Sequence, residues 1–321
     1  MMRWIGSLAA AAFAALLASA AMAQYPVRPI RLLVPNPPGG AIDITARIVG
    51  QKLAEAMGQP VVVENRAGSN GNIASEMAAR AAPDGYTLLL CADSQIVINP
   101  HLYSRMPLDT LKDLTPVATL VSTQMVLTVN PSLPVKTFPE FIEYARRANP
   151  PLLYASIGNG SQHHLAMEML KARAGIDLVH VPFKGGGPAT VAVLAGEVTT
   201  MFGGNSVSGH IKAGRLRALA LASSRRTAGR ADLPSIGEFY PGYDVTTWLA
   251  LFAPAGVPEP VLARLRGEVG RMLALPDAQA KLRAAGGLEP FITTPEEFAS
   301  VIRADYAKYG KVVKDSGAKV D

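Results

Sequence analysis

Cysteine is nearly absent: Cys91 is the only one in 321 residues, which excludes an internal disulfide and a cysteine-built metal site. Its place after Leu88-Leu89-Leu90 marks a buried, inert thiol. Membrane-spanning runs are missing as well. The longest apolar stretch, Trp4 to Leu17, is shorter than the ~20 residues a spanning helix needs. With Arg3 before it and Ala21-Met22-Ala23 after it, the stretch has the build of a secretory signal peptide, residues 1–23, cut after Ala23. The mature chain then begins at Gln24, outside the cytoplasm, and its core must hold it together without disulfides. Dense positive charge is lacking too. Removing Arg3 lowers the net charge from +6 to +5, and Lys and Arg come at most in pairs, as at Arg225-Arg226, with no aromatics interleaved. No nucleic-acid surface is expected, although a mild positive excess draws small anions over long range.

Several catalytic signatures are absent. The segment Gly158-Asn159-Gly160-Ser161-Gln162-His163 lacks the third glycine of a dinucleotide fingerprint, and no acid closes a strand about 20 residues later. Ser156 and Ser161 sit in no Gly-x-Ser-x-Gly elbow, and no order of Ser, His and acid matches a triad. His163 and His164 are adjacent, so on a helix they face different ways and are not the i, i+4 pair of a helical zinc site. The chain is therefore expected to hold no metal or cofactor and to catalyse nothing. A hydrolase-like α/β enzyme acting on a small carboxylate is the alternative, and the sensing domain of a regulator is disfavoured by the export signal.

What the sequence does contain is one pattern repeated: an apolar strand, a glycine loop and a helix start. Around Leu32 to Arg47 the strand Ile30–Val34 runs into Asn36-Pro37-Pro38-Gly39-Gly40-Ala41-Ile42, and a helix opens near Asp43, with apolar residues at helical spacing from Ile44 to Met57. Glycines let a bound group approach the backbone N–H donors while the helix N-terminus favours negative charge, so this turn reads as an anion site or as a plain tight connection. Asp43 reads as a helix-start carboxylate paired with Arg47. The pattern recurs at Ser156-Ile157-Gly158-Asn159-Gly160-Ser161 before a helix over 162–174, and at Phe183-Lys184-Gly185-Gly186-Gly187 before Pro188. Gly203, Gly204 and Asn205 end a further strand. Asp93 and Ser94 follow the apolar strand Tyr86 to Cys91 and form another candidate lip, though Asp93 also suits a helix cap. His164 could reach an anion or serve as a packing histidine. Lys184 could neutralise a bound acid or remain solvated.

Strand, loop and helix units predict an α/β fold of mostly parallel sheets with flanking helices and a ligand cleft beyond the strands' carboxyl ends. The chain is longer than one ordinary domain of roughly 100–200 residues. Two β-rich runs, Val117 to Val121 and Met125 to Val129, read as a crossing into a second domain, and Val245 to Phe252 as the return. Domain 1 is then 24–122 plus 248–321, and domain 2 is 123–247. Thr137-Phe138-Pro139-Glu140 and Thr294-Pro295-Glu296-Glu297 are capping-box starts, and the C-terminal helices are expected to cover the first sheet.

The quoted residues resemble a known family. Leu33-Val34-Pro35, Gly39 to Asp43 with Ala46-Arg47, Ala82 to Tyr86, Tyr154 to Ser161 with His164-Leu165, Val181 to Gly185, Gly214 to Ala220 and Ala253 to Pro258 are similar, in order, to the Bug family. These are the TctC-like extracytoplasmic solute receptors of tripartite tricarboxylate transporters. The resemblance implies a two-domain periplasmic binding protein of the Venus-flytrap, type II-like kind, a monomer that works with transporter membrane subunits. It also implies that a ligand carboxylate is held between Gly39 to Ile42 and Ser156 to Ser161 by backbone donors and bridging waters. Many Bug relatives carry acids where Thr199 and Gly203 stand here. An acid at the second position would be expected to face the cleft and pair a ligand ammonium, so plain carboxylates are expected to bind better than α-amino acids, unless Asp93 or Asn205 takes the amine.

Overall fold

The computed structural model describes residues 25–227, 230–285 and 288–320, with the Asn205 side chain left out. The expected signal peptide and its cleavage site lie outside the described residues. Among those residues no helix is long and apolar enough to cross a membrane.

The first half begins with β1 (Ile30–Val34), α1 (Ala41–Met57), β2 (Val61–Asn65), α2 (Asn72–Ala79) and β3 (Thr87–Ala92). A π-helical turn, Ser94–Ile98, leads into α3 (Asn99–Leu102), and β4 (Leu114–Gln124) runs toward the second half. That half holds β5 (Val126–Val129), α4 (Phe138–Arg147), β6 (Leu152–Ser156), α5 (Gln162–Ala174), β7 (Leu178–Pro182), α6 (Gly186–Ala195), β8 (Thr200–Gly203), α7 (Asn205–Lys212) and β9 (Arg217–Leu221). The chain returns through β10 (Thr246–Pro254) and closes with α8 (Glu259–Ala274), α9 (Pro276–Ala284), β11 (Glu289–Pro290) and α10 (Pro295–Ser316).

Two sheets result, in the orders β11-β4-β10-β3-β1-β2 and β7-β6-β8-β5-β9. Parallel pairing is confined to β2-β1-β3 and to β7-β6-β8. Around the crossing strands β4, β5, β9 and β10 every pair is antiparallel, so the sheets are mixed rather than mostly parallel. The reason is topological: β4 and β9 run in the same direction as the βαβ strands of their own sheets, while β5 and β10, the strands by which the chain enters each sheet from the other, run the opposite way and pair antiparallel on both sides. All the same, residues just past the carboxyl ends of β3 and β6 meet, Asp93 with Gln162.

Each sheet is buried on both faces, which is why its central strands read as unbroken apolar runs. One face of the first sheet packs Val34, Leu90 and Leu251 under α1, α8 and α9 through Val49, Leu265 and Leu282. The other face packs Leu89, Trp248 and Phe252 under α2, α3 and α10 through Ala78, Leu102, Phe298 and Tyr309. In the second sheet α4 and α5 cover Leu127, Tyr154 and Phe202, while α6 and α7 cover Ala155 and Met201. The expectation that the C-terminal helices cover the first sheet holds for α8 and α9. For α10 it needs extending, because Val312 packs against the cores of both halves.

Candidate functional site

The first lip is wired by Asp43. Its carboxylate is 2 % exposed and accepts the Gly39 N–H (2.9 Å), Arg47 Nε and Nη2 (both 3.0 Å) and Asn65 Nδ2 (2.9 Å). Burial would raise its pKa, but the bonds from Arg47, Gly39 and Asn65 outweigh that and hold the carboxyl below the usual carboxylate range. The Arg47 pairing is the expected one. The Gly39 donor, in contrast, is spent inside the loop and is not free for a ligand. Gly40 starts α1 without a side-chain cap, so the donors left facing outward belong to the helix's first turn at Ala41 and Ile42. Asn36 offers its carbonyl to Asn65 Nδ2 (3.0 Å), while its Oδ1 is buried without a partner.

An amide network beside this lip was not visible in the sequence. Ser69 and Asn70 both have positive φ, 46° and 51°. The Asn70 carbonyl accepts Gln95 Nε2 and Asn99 Nδ2, each at 3.0 Å, and Asn99 reaches Asn72 Oδ1 at 2.7 Å. At Gly71 (φ +91°) a β-carbon would lie 2.8 Å from Pro35, so only glycine lets this loop rest on the first lip.

Asp93 is not a lip residue. It is fully buried, accepts the Ser94 N–H (2.8 Å) and takes a short bond from Gln162 Nε2, the first residue of α5 in the other half. Gln162 Oε1 in turn accepts from Thr247 Oγ1, and its amide nitrogen lies 3.3 Å from the Tyr309 hydroxyl. Burial, with Asp305 close by, pushes the Asp93 carboxyl well above the ordinary range, so it bridges the halves as an interior group. Ser94 is half-buried beside it.

The second lip is held from beneath. Ser156 is fully buried: its Oγ donates to the Gly158 carbonyl (3.0 Å), accepts the Gly158 N–H (3.1 Å) and lies 2.6 Å from His180 Nε2. A Ser–His pair therefore exists that chain order did not suggest, but a hydroxyl with no exposure cannot meet a substrate. Ser161 caps α5 by accepting the His164 N–H (3.3 Å), and the His164 ring accepts the Gly160 N–H at Nδ1 (3.1 Å). His164 is 6 % exposed and stacks on His180 with centroids 3.9 Å apart, so it is a packing histidine under the loop rather than an anion ligand. Asn159 spends its amide on the Lys319 carbonyl (2.6 Å) at the C-terminal tail.

The remaining candidates are scattered. Lys184 is exposed on the β7–α6 loop. At Gly203 a β-carbon would come within 2.5 Å of Val207 on α7, so an acid there would run into that helix instead of facing the cleft. The Asn205 side chain lies outside the described residues. Among the described residues no hydrogen bond joins 36–42 to 156–161; the contacts that link the halves include Asp93 with Gln162, Asn159 with Lys319, and Gly160 against Leu102. A cavity of about 740 Å³ opens where the chain crosses, bordered by Gln124, Gly204, Ser208, Lys212 and Arg283. Sequence reasoning missed His180, although it is the one polar residue of the strand Leu178–Pro182, and Asn65, which ends β2.

Over residues 45–318 the sequence matches the profile described as "Tripartite tricarboxylate transporter family receptor", TctC. It is 36 % identical over 299 residues to protein BugT of Bordetella pertussis, covering 92 % of this chain and 91 % of that one. Among solved structures it resembles an R. palustris protein determined with adipate (TM-score 0.81, 32 % identity, covering 92 % of this chain and 99 % of that one). It also resembles MatC from Rhodopseudomonas palustris with bound malate (TM-score 0.75, 31 % identity, covering 90 % and 100 %).

Proposed function

The chain belongs to the tripartite tricarboxylate transporter receptor family, and from that premise we propose that it captures a small organic carboxylate between its two halves and delivers it to the membrane subunits of such a transporter. The halves are residues 24–122 plus 248–321 and residues 123–247, hinged at the crossing strands. The protein acts as a monomer in the periplasm once residues 1–23 are removed, needs no cofactor, and catalyses nothing.

The observation that carries this reading is the pair of glycine loops at helix N-termini, one from each sheet, whose nearby side chains are turned inward to hold backbone. Asp43 fixes the first lip by taking the Gly39 N–H, while Ser156 and His164 fix the second by taking those of Gly158 and Gly160, which leaves as anion donors the N–H groups these side chains do not take, Ala41 and Ile42 at the uncapped start of α1 among them. The relatives with adipate and malate support a carboxylate as the ligand class. A plain acid is preferred over its α-amino analogue. Gly203 does not supply the reason; the reason is that Asp43 and Asp93 are both already engaged and neither is free to pair an ammonium.

The test is calorimetry on refolded, ligand-stripped protein with adipate, malate and their α-amino analogues, with solution scattering at saturation. The plain acids should bind unchanged, raise stability by about 2.7 kcal/mol at a hundred times Kd and shrink the radius of gyration. Turnover of a bound acid would make the protein an enzyme, tighter binding of the amino analogues would overturn the ligand preference, and an unchanged radius would remove the hinge.

A further inference from the structure

His164 holds the second lip through a bond that only an uncharged ring can make. A backbone N–H can only donate, so the Gly160 N–H at 3.1 Å requires a bare Nδ1 and places the ring proton on Nε2. A second proton would set an N–H at Nδ1 against the N–H of Gly160, donor facing donor. Gly160 has nowhere else to go. Its φ is +70°, and a β-carbon would lie 2.7 Å from Leu102 in the first half, so this peptide is clamped between the His164 ring and the opposite half.

The groups facing the ring give an added charge little support. Nε2 is 4.0 Å from Glu168 Oε1, beyond a hydrogen bond. Glu168 is taken up by the Tyr154 hydroxyl (2.7 Å) and the Lys171 ammonium (2.8 Å). From β7, His180 stacks face to face at 3.9 Å with an interplanar angle of 6°, so one charged ring opposes another, and Tyr154 of β6 lies beside both rings, its centroid 4.9 Å from that of His180 and 6.4 Å from that of His164. We propose that His164 is the positioning residue of the second binding loop, holding Gly160 in place only as the neutral Nε2–H ring, so that protonating it frees the loop and weakens the ligand. This rests on the carboxylate-receptor reading above. Burial first, and Lys171 after it, bring the His164 imidazole below its ordinary range against the pull of Glu168. The loop is therefore set at neutral pH and lets go in acid.

The experiment compares the intact protein with His164→Asn, whose amide oxygen replaces Nδ1 as an uncharged acceptor, and with His164→Leu, which has none. Imidazole ¹⁵N shifts and Gly160 amide exchange are read from pH 7.5 to 4.5, and adipate and malate affinities over the same range. In the native protein Nδ1 should be unprotonated at pH 7.5 and Gly160 protected, with exchange rising at least tenfold as His164 titrates. His164→Asn should keep Gly160 protected throughout, while His164→Leu should exchange fast at every pH. Affinity should fall more steeply with acid in the native protein than in His164→Asn, and a comparison of the two cancels protonation of the ligand itself. A proton on Nδ1 at pH 7.5, native protection of Gly160 in His164→Leu, or the same acid response in His164→Asn would overturn the proposal. If neither acid binds at pH 7.5, it is the carboxylate reading that fails, and the imidazole and amide signals still decide the role of His164.

Discussion

Asp93 and Gln162 form a polar joint inside the protein, and a joint of this kind is costly to break from one side. Replacing Gln162 with Leu leaves the Asp93 carboxyl with the Ser94 N–H alone and should cost ~1–3 kcal/mol, the penalty for an unsatisfied buried polar group. Replacing Asp93 with Asn behaves differently because its native pKa is raised by burial. A raised carboxyl contributes stability that is full below its unfolded value near 4 and is lost as pH rises through its folded value. Asp93→Asn should therefore gain on the native protein between pH 4 and pH 7.5 in urea unfolding; an equal difference at both pH values would contradict the assignment. Asp93 also shows how far a site is legible in sequence. Its position at the carboxyl end of a buried strand was readable, and that position suggested a lip. What it touches depends on α5 folding back from the other half 69 residues away, and no local pattern carries that. Asp43 was legible because its partner Arg47 is one turn along the same helix.

The helices whose starts obey a local rule were the readable elements. Thr294 accepts the Glu297 N–H (3.2 Å) while Glu297 accepts the Thr294 N–H (2.8 Å), as the Thr-Pro-Glu-Glu pattern implies, and Thr137 with Glu140 repeats the arrangement. The surface that α10 meets was not readable, since an apolar stripe does not say which sheet it will cover. In the structure Trp248 Nε1 donates to Asp305 (2.9 Å), Lys308 reaches the Asp244 carbonyl (3.2 Å), and Val312 touches both cores. Thr294→Ala and Thr137→Ala should each cost ~1 kcal/mol. Thr294→Ala should in addition loosen amide protection at Gln162 and Asn159 in the other half, whereas Thr137→Ala should leave α10 unaffected. Hydrogen exchange that responded to the two changes in the same places would show that α10 does not bridge. The π-helical turn after Asp93 and the mixed sheets had no local signature, because both follow from how the chain re-enters its first sheet.

At the scale of the molecule, the two sheets are wired by one detour. The chain builds β1 to β4, spends residues 126–221 on the strands of the second sheet, and only then lays β10 between β3 and β4. Leu249, Ala250, Leu251 and Phe252 pair on both sides, so without them β4 has no neighbour but the two-residue β11, and β3 loses one of its edges. A strand at the middle of a sheet that comes so late in the sequence brings a large loop-closure cost to that sheet and little to the other. As the chain emerges from synthesis or threads through a pore amino end first, its leading half remains unfinished and open until Thr246 to Pro254 arrive. The second half, contiguous in sequence, is complete by then. A fragment spanning 124–246 should unfold cooperatively by itself, and one spanning 25–124 should show no cooperative transition; cooperative melting of the latter would refute this order. The interleaving of the two halves thus also sets the sequence of their assembly, with the trailing strand as the step that turns a passable chain into a finished one.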